Sequence, residues 1–216
     1  MSELRLRVAN RLRIGFKASG TRFGLRRDLK VPIDTPAAKI PISIRPLEPA
    51  DVPLVLPLDD GEHEPTETID IANRRAMAAR HLKGGFVAVD DRNDTPCYVQ
   101  WLMGADDNAY VASLGGFPQL GPDEALLENA YTPKAYRGMR IMSEAMARIA
   151  ERAADLGARY VLTFVGDDNI ASLKACGRAG FCPHLIHRQD QFAFGFIRRH
   201  SFVVMDAGDP RRSLTF

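Results

Sequence analysis

Residues 123–157 read DEALLENAYTPKAYRGMRIMSEAMARIAERAADLG, and this stretch decides what the rest of the chain can be. Its first part, residues 125–132, has the length and the apolar content of a buried strand. A turn follows at Pro133, because proline lacks the amide that a strand interior needs. The remainder predicts a helix over residues 139–156 that ends at Gly157. The stretch therefore predicts a strand, a turn and a helix in that order.

The predicted helix has one continuous apolar face. Its apolar residues follow the i, i+3, i+4, i+7 spacing of an amphipathic helix. They are Met142, Ala145, Met146, Ile149, Ala150, Ala153 and Leu156. The opposite face is charged and places Glu144 four residues before Arg148, a spacing that favours an ion pair. We therefore expect one face of this helix to pack on the core and the other to face water.

The turn into the helix, residues 133–142, is suited to binding an anion. The first amides of a helix have no intrahelical acceptor and carry a partial positive charge, which attracts phosphate groups. The turn also contains Arg137 and Arg140, and guanidinium groups match phosphate oxygens in pairs. An ordinary turn with both arginines in water explains this spacing equally well. The residues that follow the turn bear on the choice between the two.

The order of motifs after the turn is informative. A β-branched strand at residues 159–165 is followed by Asn169 and Ser172 in an N-x-x-S pattern, and then by a Gly-Phe pair at residues 180–181. Together with the turn PKAYRGMRIM, this resembles the acyl-CoA-binding core of the GNAT superfamily of N-acyltransferases. The resemblance covers residues 123–181, and residues 1–40 resemble no family that we can identify.

Two positions of the turn depart from the family pattern. Arg140 and Met142 stand where the family usually has glycine, and glycine or alanine, respectively. Those small residues let backbone amides come close to a pyrophosphate. We therefore expect the side chains of Arg140 and Met142 to point away from the ligand, with the charge of Arg140 compensating for a less close approach.

The resemblance implies both a fold and an activity. The implied fold is α/β, of the α+β type: a central mixed, mostly antiparallel sheet of six or seven strands with helices on both faces. The implied activity is that of an N-acyltransferase, most simply an N-acetyltransferase. It moves an acyl group from acetyl-CoA or another acyl-CoA to a small-molecule amine in a ternary complex, since no activated nucleophile is apparent. The alternative is a non-catalytic acyl-CoA-binding or interaction module with the same fold, which the substituted glycines favour.

The resemblance also implies which residues contact acyl-CoA. The strand before the turn contributes its main chain to the pantetheine arm, and the turn and the next helix contribute the rest. The expected contacts are Asn129, Ala130, Tyr131, Thr132, Arg137, Gly138, Met139, Arg140, Ile141, Met142, Asn169 and Ser172. For Asn169, capping of the following helix is the alternative role.

Glu128 is the candidate general base. It shares a face of its strand with Ala130 and Thr132, and a carboxylate on an otherwise apolar strand costs free energy unless it is paired or functional. Partial burial raises the pKa of such a carboxylate toward the range that a base needs. An ion pair with a neighbouring arginine explains its presence equally well. Glu124 is the reserve candidate.

Cys176 occupies the position where the family often has a tyrosine that acts as general acid. A thiol could donate a proton to the leaving thiolate. A buried cysteine, however, more often packs as a small hydrophobic residue, and this is the interpretation that we favour. The missing tyrosine is a further argument for the non-catalytic alternative.

The composition is that of a globular protein. The chain has 216 residues, of which 45% are hydrophobic and 26% charged, and its net charge of +2 points to no nucleic-acid partner. No apolar run has the length of a membrane span. The cysteines and histidines lack ligand spacing, so we expect no metal and reduced thiols in a cytoplasmic protein, either a monomer or a homodimer.

We divide the chain into a basic N-terminal arm and linker (residues 1–40), an acyltransferase domain (41–205) and a C-terminal tail (206–216). Residues 1–30 contain nine Lys and Arg residues and include a short predicted helix. Such a segment can contact a membrane surface or an acidic partner peripherally. We favour an arm that packs on the domain with its arginines in water.

The remaining elements are predicted from local patterns. Strands are expected at residues 42–47, 86–90, 98–103, 109–114, 182–187 and 191–205, and helices from residue 48, from about residue 68 or 70 to 82, and at 169–179. Between them lies an acidic segment with Asp59, Asp60, Glu62, His63 and Glu64. We expect a solvated loop there, and the alternative is an acidic rim that attracts a cationic amine.

Overall fold

A computed structural model describes residues 17–58, 64–194, 196–206 and 208–214. Within these residues, eight strands form one sheet with helices on both faces, which confirms the predicted fold class with more strands than expected. The strands are β1 (Lys17–Asp28), β2 (Ile42–Pro46), β3 (Gly85–Asp90), β4 (Thr95–Met103), β5 (Glu124–Tyr131), β6 (Tyr160–Gly166), β7 (Cys182–Phe192) and β8 (Ile197–Val204). The helices are α1 (Val52–Val55), α2 (Pro65–Arg80), α3 (Asn108–Leu114), α4 (Ile141–Glu151) and α5 (Ile170–Arg178).

The sheet is mixed and mostly antiparallel. Its strand order is β2-β3-β4-β5-β6-β1-β7-β8, and only β5 and β6 run parallel to each other. Alternate side chains of the strands point to opposite faces and form two cores. One core contains the buried residues of α4 and α5, and the other contains those of α1, α2 and α3. The parallel pair therefore lies at the centre of the sheet with helices above and below it.

The largest difference from the sequence prediction is at the N-terminus. Residues 17–28, expected in a surface arm, form β1 in the interior of the sheet, where Phe23 pairs with Val165 of β6 and with Ile186 of β7. The side chain of Leu25 is fully buried. The pattern was missed because the partners of this strand lie far along the chain, so no local hairpin signal marks it. Residues 1–16, including the predicted short helix, lie outside the described residues.

Other elements differ in their bounds or their type. Residues 109–114 were predicted as a strand but belong to α3, in which Val111 is the buried residue, because a short apolar pattern does not distinguish strand from helix. α2 begins earlier than expected, at Pro65. The final two strands are separated at residues 193–196, and not near residue 190.

The central helix matches its prediction closely. α4 continues as a 3₁₀ helix, Arg152–Leu156, and Gly157 ends it with a left-handed φ of 78°. The predicted ion pair is present, with 3.0 Å between Arg148 Nη1 and Glu144 Oε1. The other oxygen, Glu144 Oε2, accepts a hydrogen bond from the amide of Ala38 at 2.7 Å, which fixes the segment between β1 and β2 against α4. None of the helices in the described part of the chain is long and apolar enough to cross a membrane.

Candidate functional site

The two parallel strands at the centre of the sheet separate toward their carboxyl ends. β5 and β6 pair only at their beginnings, from Glu124 opposite Tyr160 to Leu126 opposite Leu162. No further ladder pairs join them, although β5 continues to Tyr131. Backbone groups on the two facing edges are therefore available to side chains or to a ligand. The gap lies directly before the turn that the sequence predicts to bind an anion.

A β-bulge bends β5 at this gap. Val99 of β4 pairs with Tyr131, and Trp101 pairs with Glu128, so β5 takes three steps where β4 takes two. The extra residue is accommodated by Asn129, which has a left-handed φ of 60°. The bulge turns the last residues of β5 away from a regular ladder and toward α2.

Arg74 of α2 binds the carbonyl groups that the bulge exposes. Its Nε donates to the carbonyl oxygen of Asn129 at 3.2 Å, and its Nη2 donates to that of Ala130 at 3.1 Å. The guanidinium also lies over the ring of Tyr131, 5.4 Å from its centroid. We expected the main chain of residues 129–132 to contact a pantetheine arm, and two of its carbonyl oxygens accept hydrogen bonds from Arg74. The other main-chain contacts stay a prediction.

Two adjacent cavities open at the gap. The central cavity, of about 220 Å³, lies between β5, β6, α2 and α4, and its lining includes Arg22, Arg74, Gln100, Glu128, Thr163 and Phe164. The turn cavity, of about 660 Å³, lies between the turn and α5, and its lining includes Arg137, Gly138, Arg140, Ile141, Lys174 and Arg178. Both cavities share Ala130, Met142, Asn169 and Ser172 in their walls. A ligand in the turn cavity can therefore extend to the central cavity.

The turn cavity is positively charged. The charged residues in its lining are Arg137, Arg140, Lys174 and Arg178, and no aspartate or glutamate lines it among the described residues. The first turn of α4 adds the amides of Ile141 and Met142, which have no intrahelical acceptor. Cationic side chains and helix-terminal amides together favour a ligand that carries phosphate groups.

The backbone of the turn has the left-handed geometry that favours glycine. Gly138 has a φ of 77°, and Arg140, which stands where the resemblance predicts glycine, has a φ of 61°. The side chain of Arg140 is exposed, so it does not block the turn. Met142 differs, because its half-buried side chain lines both cavities. Arg140 also lines the turn cavity, so the expectation that both side chains point away from a bound ligand stays a prediction.

The side chain of Arg137 is held by α2. Its guanidinium forms an ion pair with Glu67, and its Nε donates to the carbonyl oxygen of Thr132 at 3.1 Å. The hydroxyl of Tyr131 donates to the same Glu67 carboxylate at 3.2 Å. Arg137 was predicted to hold a diphosphate. Glu67 already compensates the charge of Arg137. Arg137 can therefore bind a phosphate only if its guanidinium contacts the phosphate and the Glu67 carboxylate at the same time.

Glu128 is buried in the wall of the central cavity, with 6% of its surface exposed. Its Oε1 accepts hydrogen bonds from the amide of Phe164 and from Oγ1 of Thr163, and its Oε2 lies 3.6 Å from Nη2 of Arg22. Burial raises the pKa of the Glu128 carboxyl above its ordinary value, and the charge of Arg22 opposes this shift. Both interpretations of this residue therefore find support, and its role as a base stays a prediction.

Cys176 lies in the core between α4 and α5. It has no exposed surface, its Sγ is 3.7 Å from Sδ of Met146, and it lines neither cavity. Burial, and then the nearby charge of Glu128, raise the pKa of the thiol far above its ordinary value, so the thiol is protonated. These observations favour a packing role, and the role of general acid stays a prediction.

Asn169 and Ser172 are brought to the boundary between the two cavities. The Oδ1 of Asn169 accepts a hydrogen bond from the amide of Ser172 at 3.1 Å and caps the N-terminus of α5. This is the alternative role that the sequence allowed. Capping uses Oδ1 of Asn169 and leaves its Nδ2, and both residues line both cavities, so their contact with a ligand stays a prediction.

The residues of the central cavity that the sequence analysis missed include three with long polar side chains: Arg22, Arg74 and Gln100. Arg74 could have been found, because it lies three residues after the buried Ile71 and four before the buried Ala78, on the apolar face of α2. Arg22 belongs to β1, which was not recognised as a strand.

Gln100 is 1% exposed and lies in a predominantly apolar strand, so the sequence pattern did not indicate that it belongs to a site. Its Oε1 accepts a hydrogen bond from the hydroxyl of Tyr98, while its Nε2 has no hydrogen-bond partner. The buried amide therefore leaves one donor unsatisfied in the wall of the central cavity.

Most of the acidic segment before α2 lies outside the residues that the structure describes. Asp59, Asp60, Glu62 and His63 lie outside the described residues, and Glu64 is exposed at the N-cap of α2. The suggested acidic rim therefore stays untested. Within the described ranges, no group of three or more His, Cys, Asp or Glu residues is arranged to hold a metal ion.

A model of the family described as "Acetyltransferase (GNAT) family" matches residues 64–181, which is 118 of 216 residues and more than half of the chain. The matched part contains α2, both parallel strands, the turn and α5. A search of curated protein sequences found no match.

Solved structures with a similar fold include other members of this family. An acetyltransferase from the GNAT family of Colwellia psychrerythraea is 12% identical with a TM-score of 0.51, and the match covers 88% of this chain and 57% of that one. A GCN5-related glucosamine N-acetyltransferase region of a fungal multi-domain β-N-acetylglucosaminidase is 14% identical with a TM-score of 0.58, and the match covers 87% of this chain and 23% of that one. A conserved protein of unknown function from Staphylococcus epidermidis is 10% identical with a TM-score of 0.54, and the match covers 88% of this chain and 66% of that one. The chain thus spans less than two thirds of each of these relatives, and the likeness shows the fold.

Proposed function

Because this chain belongs to the acetyltransferase (GNAT) family, we propose that it transfers an acyl group, most simply acetyl, from acyl-CoA to the nitrogen of a small amine. The observation that carries the proposal is the pair of cavities at the gap between β5 and β6. A basic cavity at a helix N-terminus leads into a smaller cavity that contains a buried carboxylate. This arrangement suits a phosphate-bearing acyl donor on one side and a group that takes a proton on the other.

The donor substrate fits the turn cavity by charge. Acyl-CoA carries a diphosphate and a further phosphate, and the cavity offers Arg140, Lys174 and Arg178 besides the first amides of α4. The acyl end would then enter the gap beside Met142, where it meets the bulge of β5. Met142 narrows this passage compared with glycine or alanine, which favours a short acyl group such as acetyl.

The chemical step requires a free amine. In the proposed mechanism Glu128, as carboxylate, takes a proton from the amine, whose lone pair attacks the thioester carbonyl carbon. The new C–N bond forms, the C–S bond breaks, and CoA leaves as a thiolate that takes up a proton. Its proton comes from Cys176 if that thiol acts as an acid, and from water if Cys176 has only a packing role. The raised pKa of Glu128 supports its assignment, because a base works best when its pKa lies near the working pH.

The second candidate is a non-catalytic acyl-CoA-binding module, which is favoured by Cys176 in place of the family's tyrosine and by Arg140 and Met142 in place of small residues. Calorimetry with acetyl-CoA, followed by a thiol-release assay with a panel of amines, separates the two functions. Heat together with thiol release supports the proposed transferase. Heat without release on any amine favours the binding module, and no heat contradicts both.

A charge variant tests where the donor binds. Replacing both Lys174 and Arg178 by glutamine should weaken acetyl-CoA binding about tenfold or more, because each removes a cation from the turn cavity. Arg75→Gln, on α2 and outside both cavity linings, is the matched control and should leave the affinity unchanged. Unchanged affinity in the double variant would place the phosphates elsewhere.

A further inference from the structure

We propose that the acceptor amine itself carries a carboxylate, as an amino acid does, and that Arg22 and Arg74 bind this carboxylate in the central cavity. This inference rests on the proposed acyltransferase function and names the class of its second substrate. It replaces the acidic rim considered from the sequence, which would have attracted a purely cationic amine.

The two arginines reach the central cavity from the same face of the sheet. Arg74 belongs to α2. Arg22 of β1 lies on the same face of the sheet as Phe164, and the ring of Phe164 packs in the core that contains the buried residues of α2. The Arg22 guanidinium lies 5.6 Å from the ring centroid of Phe117 and 5.8 Å from that of Phe164, so its position is fixed by two aromatic rings. On the opposite face, α4 and α5 border the turn cavity. The acceptor and the donor would thus approach the gap from opposite faces.

The central cavity contains more positive than negative charge. Its ionisable lining residues are Arg22, Arg74 and Glu128, which give a net charge of +1 when the carboxylate is ionised. Arg22 has Glu128 as a partner at 3.6 Å. Arg74 has no carboxylate within 4.0 Å among the residues that the structure describes, since its hydrogen bonds go to neutral backbone carbonyl groups. A half-buried guanidinium that no carboxylate of the described residues contacts, with Asp70 and Glu128 only as more distant charges, favours an anionic ligand.

Two side chains in the wall of this cavity have hydrogen-bond donors that the protein does not use. Gln100 places an unpartnered Nε2 in the wall, and its orientation follows from the hydrogen bond that Tyr98 donates to Oε1. Arg74 has guanidinium N–H groups beyond the two that it uses. A ligand that supplies carboxylate oxygens would satisfy donors that the protein leaves open.

The position of Glu128 limits how far apart the amine and the carboxylate of the acceptor can be. Its Oε2 lies 3.6 Å from Arg22, so a carboxylate bound between the arginines lies close to the proposed base. An acceptor in which only a few bonds separate the amine from the carboxylate can reach both groups. A simple alkylamine, which is cationic in water, would instead meet two guanidinium groups and be repelled.

The test compares matched acceptors at saturating acetyl-CoA. Glycine is compared with methylamine, phenylalanine with phenethylamine, and histidine with histamine, each by release of the CoA thiol. Glycinamide and phenylalaninamide serve as controls, because they keep an electron-withdrawing carbonyl next to the amine but lack the carboxylate. We expect kcat/KM for the best amino acid to exceed that of its decarboxylated and amide partners at least tenfold. Equal or higher values for the partners that lack the carboxylate would overturn the inference.

Variants assign the selectivity to the two arginines. Arg22→Gln and Arg74→Gln should each lower the ratio of kcat/KM between the acid and its amide about tenfold, chiefly by raising KM for the acid. Arg22→Lys and Arg74→Lys should retain part of the ratio, and Arg80→Gln, an exposed position on the same helix, should retain all of it. The ratio does not depend on the amount of folded protein, so partial unfolding does not mimic the effect. An unchanged ratio in both glutamine variants would contradict the proposal.

Calorimetry with acetyl-CoA alone distinguishes the two levels of failure. If acetyl-CoA does not bind, the acyltransferase function fails, and this inference with it. If acetyl-CoA binds and the decarboxylated amines are the better acceptors, only the inference fails. Binding of acetyl-CoA with no turnover of any carboxylate-bearing amine in the panel also contradicts it.

Discussion

Glu128 combines burial, a nearby arginine and a place in the gap between β5 and β6. Burial raises the pKa of this carboxyl, whereas the charge of Arg22 and hydrogen bonds from Phe164, Asn129 and Thr163 favour its ionised form. The balance between these two influences sets the pH at which the group can accept a proton. The residue is therefore the place where the proposed chemistry can be tested most directly.

Glu128→Gln should lower kcat by about 10² to 10⁴, the contribution typical of a general base, while acetyl-CoA still binds. Because the base must be ionised, kcat/KM of the natural protein should fall as the pH drops through the raised pKa of Glu128, above the ordinary value of a glutamate. The variant should lack this acidic limb. Measurement of pH–rate profiles checks both points, and a variant with an unchanged profile would remove Glu128 from the mechanism.

Cys176→Ala should keep kcat/KM within about twofold, because the thiol is buried against Met146 and lines neither cavity. The expected cost is one of stability, about 1 kcal/mol or somewhat more, from the lost packing. Thiol-release kinetics and urea denaturation measure the two effects separately. A tenfold loss of turnover at unchanged stability would instead make Cys176 the general acid.

At the scale of elements, the strand–turn–helix stretch was predictable because each signal in it is local. Apolar spacing predicts α4, the proline predicts the end of β5, and Gly157 predicts the end of the helix. β1 was not predictable in this way, because its pairing partners in β6 and β7 lie more than a hundred residues away. The central cavity was missed in part for the same reason, since Arg22 comes from that strand and Arg74 from an otherwise amphipathic helix.

The turn before α4 offers a test of backbone strain. Arg140 has a φ of 61°, a conformation that costs a residue with a side chain about 1 kcal/mol and costs glycine almost nothing. Arg140→Gly should therefore be more stable than Arg140→Ala by about 1 kcal/mol in urea denaturation. Both variants lose the same charge, so they should weaken acetyl-CoA binding equally. Greater stability of the alanine variant would show that the turn is not left-handed at this position.

β1 should contribute to stability as a core strand and not as an arm. Leu25 is fully buried, so Leu25→Ala should lower the free energy of unfolding by about 3 kcal/mol. Leu54→Ala is the matched control, because Leu54 in α1 is 61% exposed and its truncation should change stability by less than about 0.5 kcal/mol. Chemical denaturation compares the two, and a similar small effect at both positions would refute the placement of β1.

At the scale of the whole molecule, a half-buried histidine and a fully buried one connect stability to pH. His184 and His187 of β7 have pKa values lowered to about 4, chiefly by burial and also by neighbouring arginines. A histidine in the unfolded chain binds its proton near the ordinary value of 6.5. Between these two values the unfolded state binds more protons, so stability should decrease as the pH is lowered from about 6.5 toward 4.

His187→Gln should weaken this pH dependence, because it removes one of the histidines whose pKa is lowered, beside His184 and His200. His187 is fully buried, and its Nε2 lies 3.0 Å from Nδ1 of His200. Urea denaturation at pH 7, 6 and 5 gives the slope for the natural protein and the variant. An identical slope would mean that His187 does not titrate differently in the two states.

The position of β1 has a consequence for synthesis on the ribosome. Among the eight strands of the sheet this strand is translated first, whereas its neighbours β6 and β7 are the sixth and the seventh. The nascent chain therefore exposes an unpaired strand until β6 and β7 have been made, and the high contact order of this pairing slows the closure of the sheet. Such an intermediate is prone to aggregate, so the yield of native protein in a cell should respond strongly to chaperone supply and to growth temperature.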